Sequence, residues 1–459
     1  MVNPTMELPA GFIMQMQKLL SDADEYFQSL RDPPPVSIRV HPIKGNKPEN
    51  SQCVPWCEQG FYLAHRPSFT GDPLFHAGTY FVQEAASMFL EQFIRQTGLD
   101  QQPLMALDLC ASPGGKSTHL LSLLHTESVL FANEVIRSRL GALSENLGKW
   151  GYPNVVLTNN DPADFAAAGP LFDLIVCDAP CSGEGLFRKD PSAIRFWSFE
   201  HVQHCAERQK RIIQAAWKAL KPGGLLVYST CSFNEQENEQ VLKSLWHTGQ
   251  AEKVSIACHH LGNIQMNSNG FSVYRLLPHR IKGEGLTVAA LRKAVDKNPE
   301  PIAFQRKNFS ELSEQKEPLN WIHPSAGRLI RSHQHLMLMS ESLVRFFTAA
   351  SGLFNIIRAG IPVAVYKGNE WLPLHEACMS IAYRRHSIPE AELSYHDALQ
   401  YLQGATTFSI DSPQGVILFT YGGKPLGFAR KTGRRFNNQY PRPWRIHRKD
   451  MVSKPEDHL

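Results

Sequence analysis

The sequence predicts an α/β protein: a Rossmann-like, doubly wound sheet of seven strands, with a small α+β unit before it and β-rich domains after it. Three observations carry this reading. Between residues 80 and 293, apolar strand-like runs alternate with helical stretches, the pattern of an open parallel sheet. A glycine turn, LDLCASPGGKS at 107–117, follows directly on the first of those runs. On either side of this stretch the punctuation changes, with Pro33, Pro34 and Pro35 before it and a polar, proline-containing stretch at 297–320 after it.

Taken in order, residues 9–30 carry apolar positions at helical spacing, and the three prolines stop that helix. The β-like run VSIRV follows, then a second at 60–63, and SFTGDPLFHAG at 68–78 reads as a connector. The predicted core strands are MALDL (105–109), SVLFA (128–132), NVVLT (154–158), LFDLIVC (171–177) and GLLVYST (224–230), with helices over 117–124, 136–150 and 205–220. Lys221-Pro222-Gly223-Gly224 ends the third helix. Strands at 253–258 and 287–291 would complete seven. Beyond 296 a helix is expected at 332–350, and the remainder reads as strand-like runs, NIIRAGIPVAVYK and GVILFTYGG, broken by Gly and Pro. The expected division is therefore 1–75, 76–295 and 296–459.

Composition bounds the partners. With 42% hydrophobic residues the chain has material for two or three packed domains. A net charge of +4, from 47 Lys+Arg against 43 Asp+Glu, restricts any nucleic-acid surface to local patches. No stretch is long and apolar enough for a membrane span, so no membrane partner and a cytoplasmic location are expected. Nine scattered cysteines do not form a disulfide scaffold. Cys53 and Cys57 make a lone C-x3-C without a second pair, and no metal is expected there.

The glycine turn lacks the features of a phosphate loop. Cys110 stands where that motif needs glycine, and G-x-G-x-x-G does not occur. The next strand ends at Asn133-Glu134, where a carboxylate can accept two hydrogen bonds from a ribose diol. After the third strand, Asn160-Asp161 stands where an adenine amino group could be read. Three strand ends with this chemistry and no pyrophosphate motif point to an adenosine without phosphates, which describes S-adenosyl-L-methionine.

LDLCASPGGKS, ANEVIRSR, DAPCSGEGLFRKD and YSTCSFNEQENE resemble the signature segments of the RNA cytosine-C5 methyltransferases, the NOL1/NOP2/Sun family. The resemblance covers most of residues 1–294 and is nearest to bacterial members that modify small-subunit ribosomal RNA. It implies an S-adenosylmethionine-dependent methyltransferase fold and 16S ribosomal RNA or the small subunit as partner, and no obligate protein partner is predicted. It also implies that Cys110, Ala111, Ser112, Pro113, Gly114 and Gly115 line the methionine end of the cofactor by backbone, and Lys116 by its side chain. Glu134 would hold the ribose, Arg139 would support the pocket, Asp161 would contact adenine, and Asp178 would lie between cofactor and base. Ser112 replaces the alanine more usual in this turn.

Carbon 5 of cytosine is a poor nucleophile, and adding a thiolate to C6 makes it an enamine-like one, so the chemistry needs a poised cysteine. The sequence offers Cys181, in Cys177-Asp178-Ala179-Pro180-Cys181, and Cys231, in Tyr228-Ser229-Thr230-Cys231, at neighbouring strand ends. By the resemblance, Cys231 is the nucleophile and Cys181 the second cysteine, which assists breakdown of the adduct. Cys231 is expected to have a depressed pKa once cofactor and RNA are bound. Cys177 reads as core, and Cys205, on the following helix, has no motif context.

RNA contacts are expected at two places. The loop 183–197 combines Arg188, Lys189 and Arg195 with Phe187, Phe196 and Trp197. The segment 423–449 carries Lys424, Arg430, Lys431, Arg434, Arg435, Arg442, Arg445, Arg448 and Lys449, interleaved with Phe428, Phe436, Tyr440 and Trp444. Its end resembles the PUA-like RNA-binding domain of bacterial members. Leu286-Thr287 stands where many relatives have aromatics, so packing or RNA contact there could differ, and His279 and Arg280 can serve either RNA or structure. A transfer-RNA methyltransferase, or a noncatalytic RNA-binding or assembly protein on the same fold, remains open at this point.

Overall fold

Seven strands form the centre of a computed structural model that describes residues 7–246, 249–258, 264–268, 271–295, 313–315 and 319–447. They are β1 (Met105–Asp108), β2 (Val129–Asn133), β3 (Val155–Thr158), β4 (Phe172–Asp178), β5 (Leu220–Thr230), β6 (Phe271–Leu276) and β7 (Leu286–Lys293). Their order across the sheet is β3-β2-β1-β4-β5-β7-β6. The first five are parallel, and β7 runs antiparallel to both β5 and β6. Strands this apolar are covered on both faces. Ala106, Leu130, Val176 and Val227 belong to one buried cluster, and Leu107, Phe131, Ile175 and Leu226 to the other. The parallel strands all end on one edge, where the site residues collect.

The sixth strand is not where the sequence put it. Only Ala251–Lys253 is strand, a short piece pairing with β7. Residues 254–258 instead run without strand pairing, burying Val254, Ile256 and Cys258 and leaving Ser255 and Ala257 exposed, with Ile256 N–H donating to the Tyr274 hydroxyl at 2.7 Å. The hairpin of Gln265–Ser268 with β6 takes the sheet edge.

The helix expected over 9–30 is two helices, Ala10–Leu19 and Ala23–Ser29, because Leu20 is extended at φ −120°, ψ 131°. The break frees Asp22 to accept from Arg280 at 2.6 Å and to meet His279 at 3.0 Å. Arg280 first, and then His279, hold the Asp22 carboxyl down at about 2. His279 and Arg280 are thus spent on structure. The helices' buried Phe12, Met16 and Tyr26 pack on Phe187, Trp197 and Phe233. A four-stranded antiparallel sheet follows, ordered Gln52–Cys53, Gly60–Leu63, Val36–Val40, Tyr80–Val82. Its buried Arg39 donates to Gln83 at 2.7 Å and to Thr118, behind the glycine turn, at 2.6 Å. The helix expected over 205–220 starts earlier, running Phe199–Ala219 with Ser198 capping the His201 N–H.

The helix expected over 332–350 is half right. Arg328–Ser332 and His335–Met339 form a hairpin, and the helix is Glu341–Ala350. The alternation in HLMLM lets Leu336 and Leu338 face one core and Met337 and Met339 another. The NIIRAGIPVAVYK run, expected to be strand-like and broken by Gly and Pro, forms two strands. Ile356–Ala359 adds antiparallel to β3, and Ile361–Lys367 joins a five-stranded sheet of its own. The pivot is Gly360, at φ +69°, where a Cβ would lie 2.2 Å from the Leu338 carbonyl oxygen. Last comes a four-stranded sheet of Glu390–Glu392, Gly415–Tyr421, Lys424–Thr432 and Arg435–Asn438. No helix of the described residues is long and apolar enough to cross a membrane. Most of the stretch 297–320, and Arg448 and Lys449, lie outside the described residues.

Gly360→Ala is expected to destabilise the chain by about 1–3 kcal/mol, from the strained φ and the carbonyl clash. A urea unfolding midpoint equal to that of the parent would contradict this.

Candidate active site

The turn after β1 is fastened from outside. Ala111 N–H donates to the Asn133 carbonyl at 2.8 Å, and Asn146 donates to the Pro113 carbonyl at 2.9 Å. Ser112 and Arg139 hold each other: the serine hydroxyl donates to the Arg139 carbonyl at 3.0 Å, and the guanidinium donates to the Ser112 carbonyl at 2.8 Å. The departure at Ser112 therefore gains a bond instead of disturbing the loop. Gly114, at φ +114°, turns the chain into the helix Gly115–Leu123.

Around this turn the strand ends close a cavity of about 450 Å³. Cys110, Ser112, Glu134, Arg139, Asp161, Asp178, Cys181 and Cys231 line it. Ala111, Pro113, Gly114, Gly115 and Lys116 build the turn behind the wall and are not among its lining residues. Lys116 reaches the site indirectly, its ammonium 2.7 Å from Asp178. Burial opposes the ammonium, but Asp178, and beyond it Asp108, outweigh that cost and raise its pKa. The second Asp178 oxygen accepts from Ser229 at 2.7 Å. Glu134 accepts the Ile136 N–H at 2.9 Å and has Arg139 at 3.5 Å. Asp161 caps the helix Pro162–Ala167 through the Ala163 N–H. Burial pushes Asp108 up to about 7, and it accepts from Ser117 at 2.6 Å.

The sequence reading missed Val135 and Ile136, which are 52% and 49% exposed at the cavity mouth and offer apolar faces. Two bulky apolar residues directly after a ribose-type carboxylate were the available signal. The donor set fits S-adenosylmethionine. Carboxylates at Glu134, Asp161 and Asp178 accept from hydroxyl and amino groups and favour a cation, and they would repel phosphate.

At the far wall the two cysteines meet, Sγ to Sγ 2.8 Å, both as free thiols. Their loops are clamped by two buried carboxylates. Glu237 accepts from the Ser182 N–H at 2.9 Å and from the Ser182 hydroxyl, Gln209 and Asn234. Glu184 accepts from Gln15, Trp197, the Phe233 N–H and Asn234. The loops also bond directly, Ser182 to Ser232 at 2.9 Å and Gly185 N–H to the Cys231 carbonyl at 2.6 Å. Thr287 donates to the Ser232 carbonyl at 2.7 Å, so the departure at Leu286-Thr287 braces the Cys231 loop. The Cys231 thiol is pushed well up by its bond to Cys181, then by burial and by the negative Asp178 and Glu237. Its surroundings in the free chain thus act against the depression expected with cofactor and RNA bound.

Other candidates are distributed differently. Phe187 and Trp197 are buried, and Arg188 is held by the Gly283 carbonyl at 2.5 Å and by Glu284, so these three anchor the loop. Lys189, Arg195 and Phe196 stay exposed. In the carboxyl-terminal segment Phe428, Phe436 and Tyr440 are core, and Arg434, Arg435 and Arg442 are exposed. Cys177 and Cys205 are buried and Cys53 is exposed. Cys57 packs 3.7 Å from His119, which meets Glu91 at 3.1 Å. Arg95 pairs with the same glutamate at 2.7 Å, and this cluster ties helix Gly115–Leu123 to helix Leu90–Gln96.

The sheet order, the acceptor-lined cavity at the strand ends and the glycine turn define a Rossmann-like S-adenosylmethionine-dependent methyltransferase. Residues 99–292 match the 16S rRNA methyltransferase RsmB/F family, 8–85 the N-terminal domain of 16S rRNA methyltransferase RsmF, and 389–446 the methyltransferase RsmF PUA domain. Ribosomal RNA small subunit methyltransferase F of Vibrio cholerae is 32% identical over 477 residues, covering 96% of this chain and 98% of that protein. The Escherichia coli O6:H1 protein of the same name is 32% identical over 480 residues, covering 96% and 97%. The chain belongs to this family. Among solved structures, a methyltransferase homolog from Pyrococcus horikoshii is 28% identical, covering 62% of this chain and 100% of that one, with a TM-score of 0.50. NSun6 from Pyrococcus horikoshii, 20% identical, shares the fold over 63% of this chain and 99% of that one, with a TM-score of 0.52.

Because a raised thiol pKa withholds the thiolate until high pH, alkylation of Cys231 by iodoacetamide is expected to reach half its maximal rate above pH 9. Cys181→Ala removes the largest cause and should move that midpoint down. Site-resolved mass spectrometry across pH checks both, and an ordinary thiol midpoint in the parent would count against the account.

Proposed function

We propose that the chain transfers a methyl group from S-adenosylmethionine to carbon 5 of a cytosine in 16S ribosomal RNA, with Cys231 as covalent nucleophile. The observation that carries this reading is the pair of thiols at adjacent strand ends, 2.8 Å apart, on the wall of an acceptor-lined cavity. The family relatives are small-subunit ribosomal RNA methyltransferases by name, which supports the substrate. A substrate of that kind supports a cytoplasmic location for the reaction.

When bound, S-adenosylmethionine supplies an electrophilic methyl group. The backbone of Cys110, Ala111, Ser112, Pro113, Gly114 and Gly115, with Lys116 behind it, would hold its methionine end. Glu134, steadied by Arg139, would accept from its ribose, and Asp161 would accept from its adenine. The Cys231 thiolate adds to C6 of the target ring, so that C5 gains the electron density to take the methyl group. Asp178, fixed by Lys116 and Ser229, holds the polar edge of the base. Cys181 assists loss of the C5 proton and expulsion of the Cys231 sulfur, which restores the aromatic ring. The target base must be unpaired or turned out of its stack to reach the strand ends. In the division 1–75, 76–295 and 296–459, the central part carries the chemistry, and the outer two hold RNA.

Bisulfite sequencing of total RNA from cells with and without the gene tests the chemistry. One protected cytosine should appear in 16S RNA and vanish with the gene, and no change in any RNA would reject the function. Cys231→Ser should abolish methylation, and unchanged turnover would reject its role. Cys181→Ser should complete methyl transfer and then accumulate a covalent protein–RNA adduct, visible as a shifted band on a denaturing gel. Absence of the adduct would leave Cys181 a positioning residue only.

A further inference from the structure

A second concavity is larger than the cavity that holds the two cysteines. A groove of about 940 Å³ runs between the amino-terminal sheet and the loop after Cys181. Its walls are Pro33–Ser37, residues 63–66, residues 188–189 and residues 281–284. It reaches the back of the glycine turn and the loop that follows Cys181. Gln83, on its floor, lies within 3.8 Å of where a Cβ on Gly115 would stand, and Arg188 and Lys189 continue the loop that begins at Cys181.

The charge of the groove is uneven. Its carboxylates are already committed: Glu84 accepts the N–H groups of Ala86, Ser87 and Glu284 at 2.8–2.9 Å, and Glu284 pairs with Arg188. His65, Arg66, Lys189 and Lys282 are exposed along the rim. Pro33, Pro34, Val36 and Leu63 offer apolar wall between them. Cations at the rim and apolar wall below suit a single strand whose phosphates lie outward and whose bases face in.

The geometry points to this groove as the track for the unpaired RNA that flanks the target cytosine, with Arg66, Lys189 and Lys282 as its phosphate contacts. This rests on the RNA reading of the catalytic site. The amino-terminal sheet then holds the strand on one side while the base enters the cavity.

The test uses the full chain, small ribosomal subunits from a strain lacking the gene, and 16S RNA deproteinised from them. The double variant Arg66→Ala/Lys282→Ala should raise KM for RNA at least 10-fold and leave affinity for S-adenosylmethionine unchanged, which also reports an intact fold. Its log affinity for free 16S RNA against log salt should be shallower by about 1.4, at roughly 0.7 for each cation withdrawn from a single-strand phosphate. In the parent chain, 4-thiouridine placed beside the target should crosslink to peptides within residues 63–66 or 278–284. A double variant with unchanged KM and salt slope overturns the groove and leaves the methyltransferase reading standing. A raised KM on subunits with unchanged binding to free RNA and no crosslink assigns the groove to a protein, and also overturns it. If the parent methylates neither substrate, the RNA reading and this inference fall together.

Discussion

Two buried carboxylates, Glu184 and Glu237, fix the two loops that bring Cys181 and Cys231 together. A buried carboxylate is costly unless donors converge on it, and here the donors come from the very loops that carry the thiols. Satisfying Glu237 forces Ser182 against the turn at Asn234, and satisfying Glu184 forces Phe233 and Asn234 against the loop that follows Cys181. Cys181 and Cys231 then have little choice but to face each other. The same demand reaches outward, because Gln15 and Trp197 also donate to Glu184 and so place the amino-terminal helices beside the cysteine loops.

The second point of convergence is the carboxyl end of the helix Leu140–Trp150. Lys44 of the amino-terminal part donates there to the carbonyls of Lys149 and Met379, and His41 meets the Trp150 carbonyl at 3.0 Å. Burial lowers Lys44 to about 7, a cost accepted because carbonyls ring it. Ile381 N–H donates to the Gly151 carbonyl, and Trp444 packs over Gly148. The two outer parts of the chain thus fasten one helix of the central part, whose other end presents Arg139 to the glycine turn. Together with the strand Ile356–Ala359 on β3, this makes the carboxyl-terminal region part of the catalytic scaffold as well as a carrier of exposed arginines.

Much of the site was legible because its chemistry is written in short segments. The turn at 107–117, the carboxylate at Glu134 and the two cysteine segments each sit at a strand end, and parallel strands deliver their ends to one edge whatever lies between. The roles of Phe187, Arg188, Trp197, Phe428, Phe436 and Tyr440 were less legible. A basic or aromatic residue in a loop reads as a ligand contact until its partners, distant in sequence, are known. Arg188 is answered by Glu284, and Trp197 by Glu184 and Phe12.

The sequence by itself determined the fold class, the cofactor and the pair of cysteines, since hydrophobic periodicity and a few residue types at strand ends are local properties. Tertiary structure alone decided which edge strand closes the sheet, where the helices at 9–30 and 332–350 break, and how the thiols are held. Each of these depends on contacts between residues far apart in the chain: Asp22 with Arg280, Gly360 with Leu338, Glu237 with Ser182. A buried polar group or a backbone pivot has a meaning only once its partner is in place.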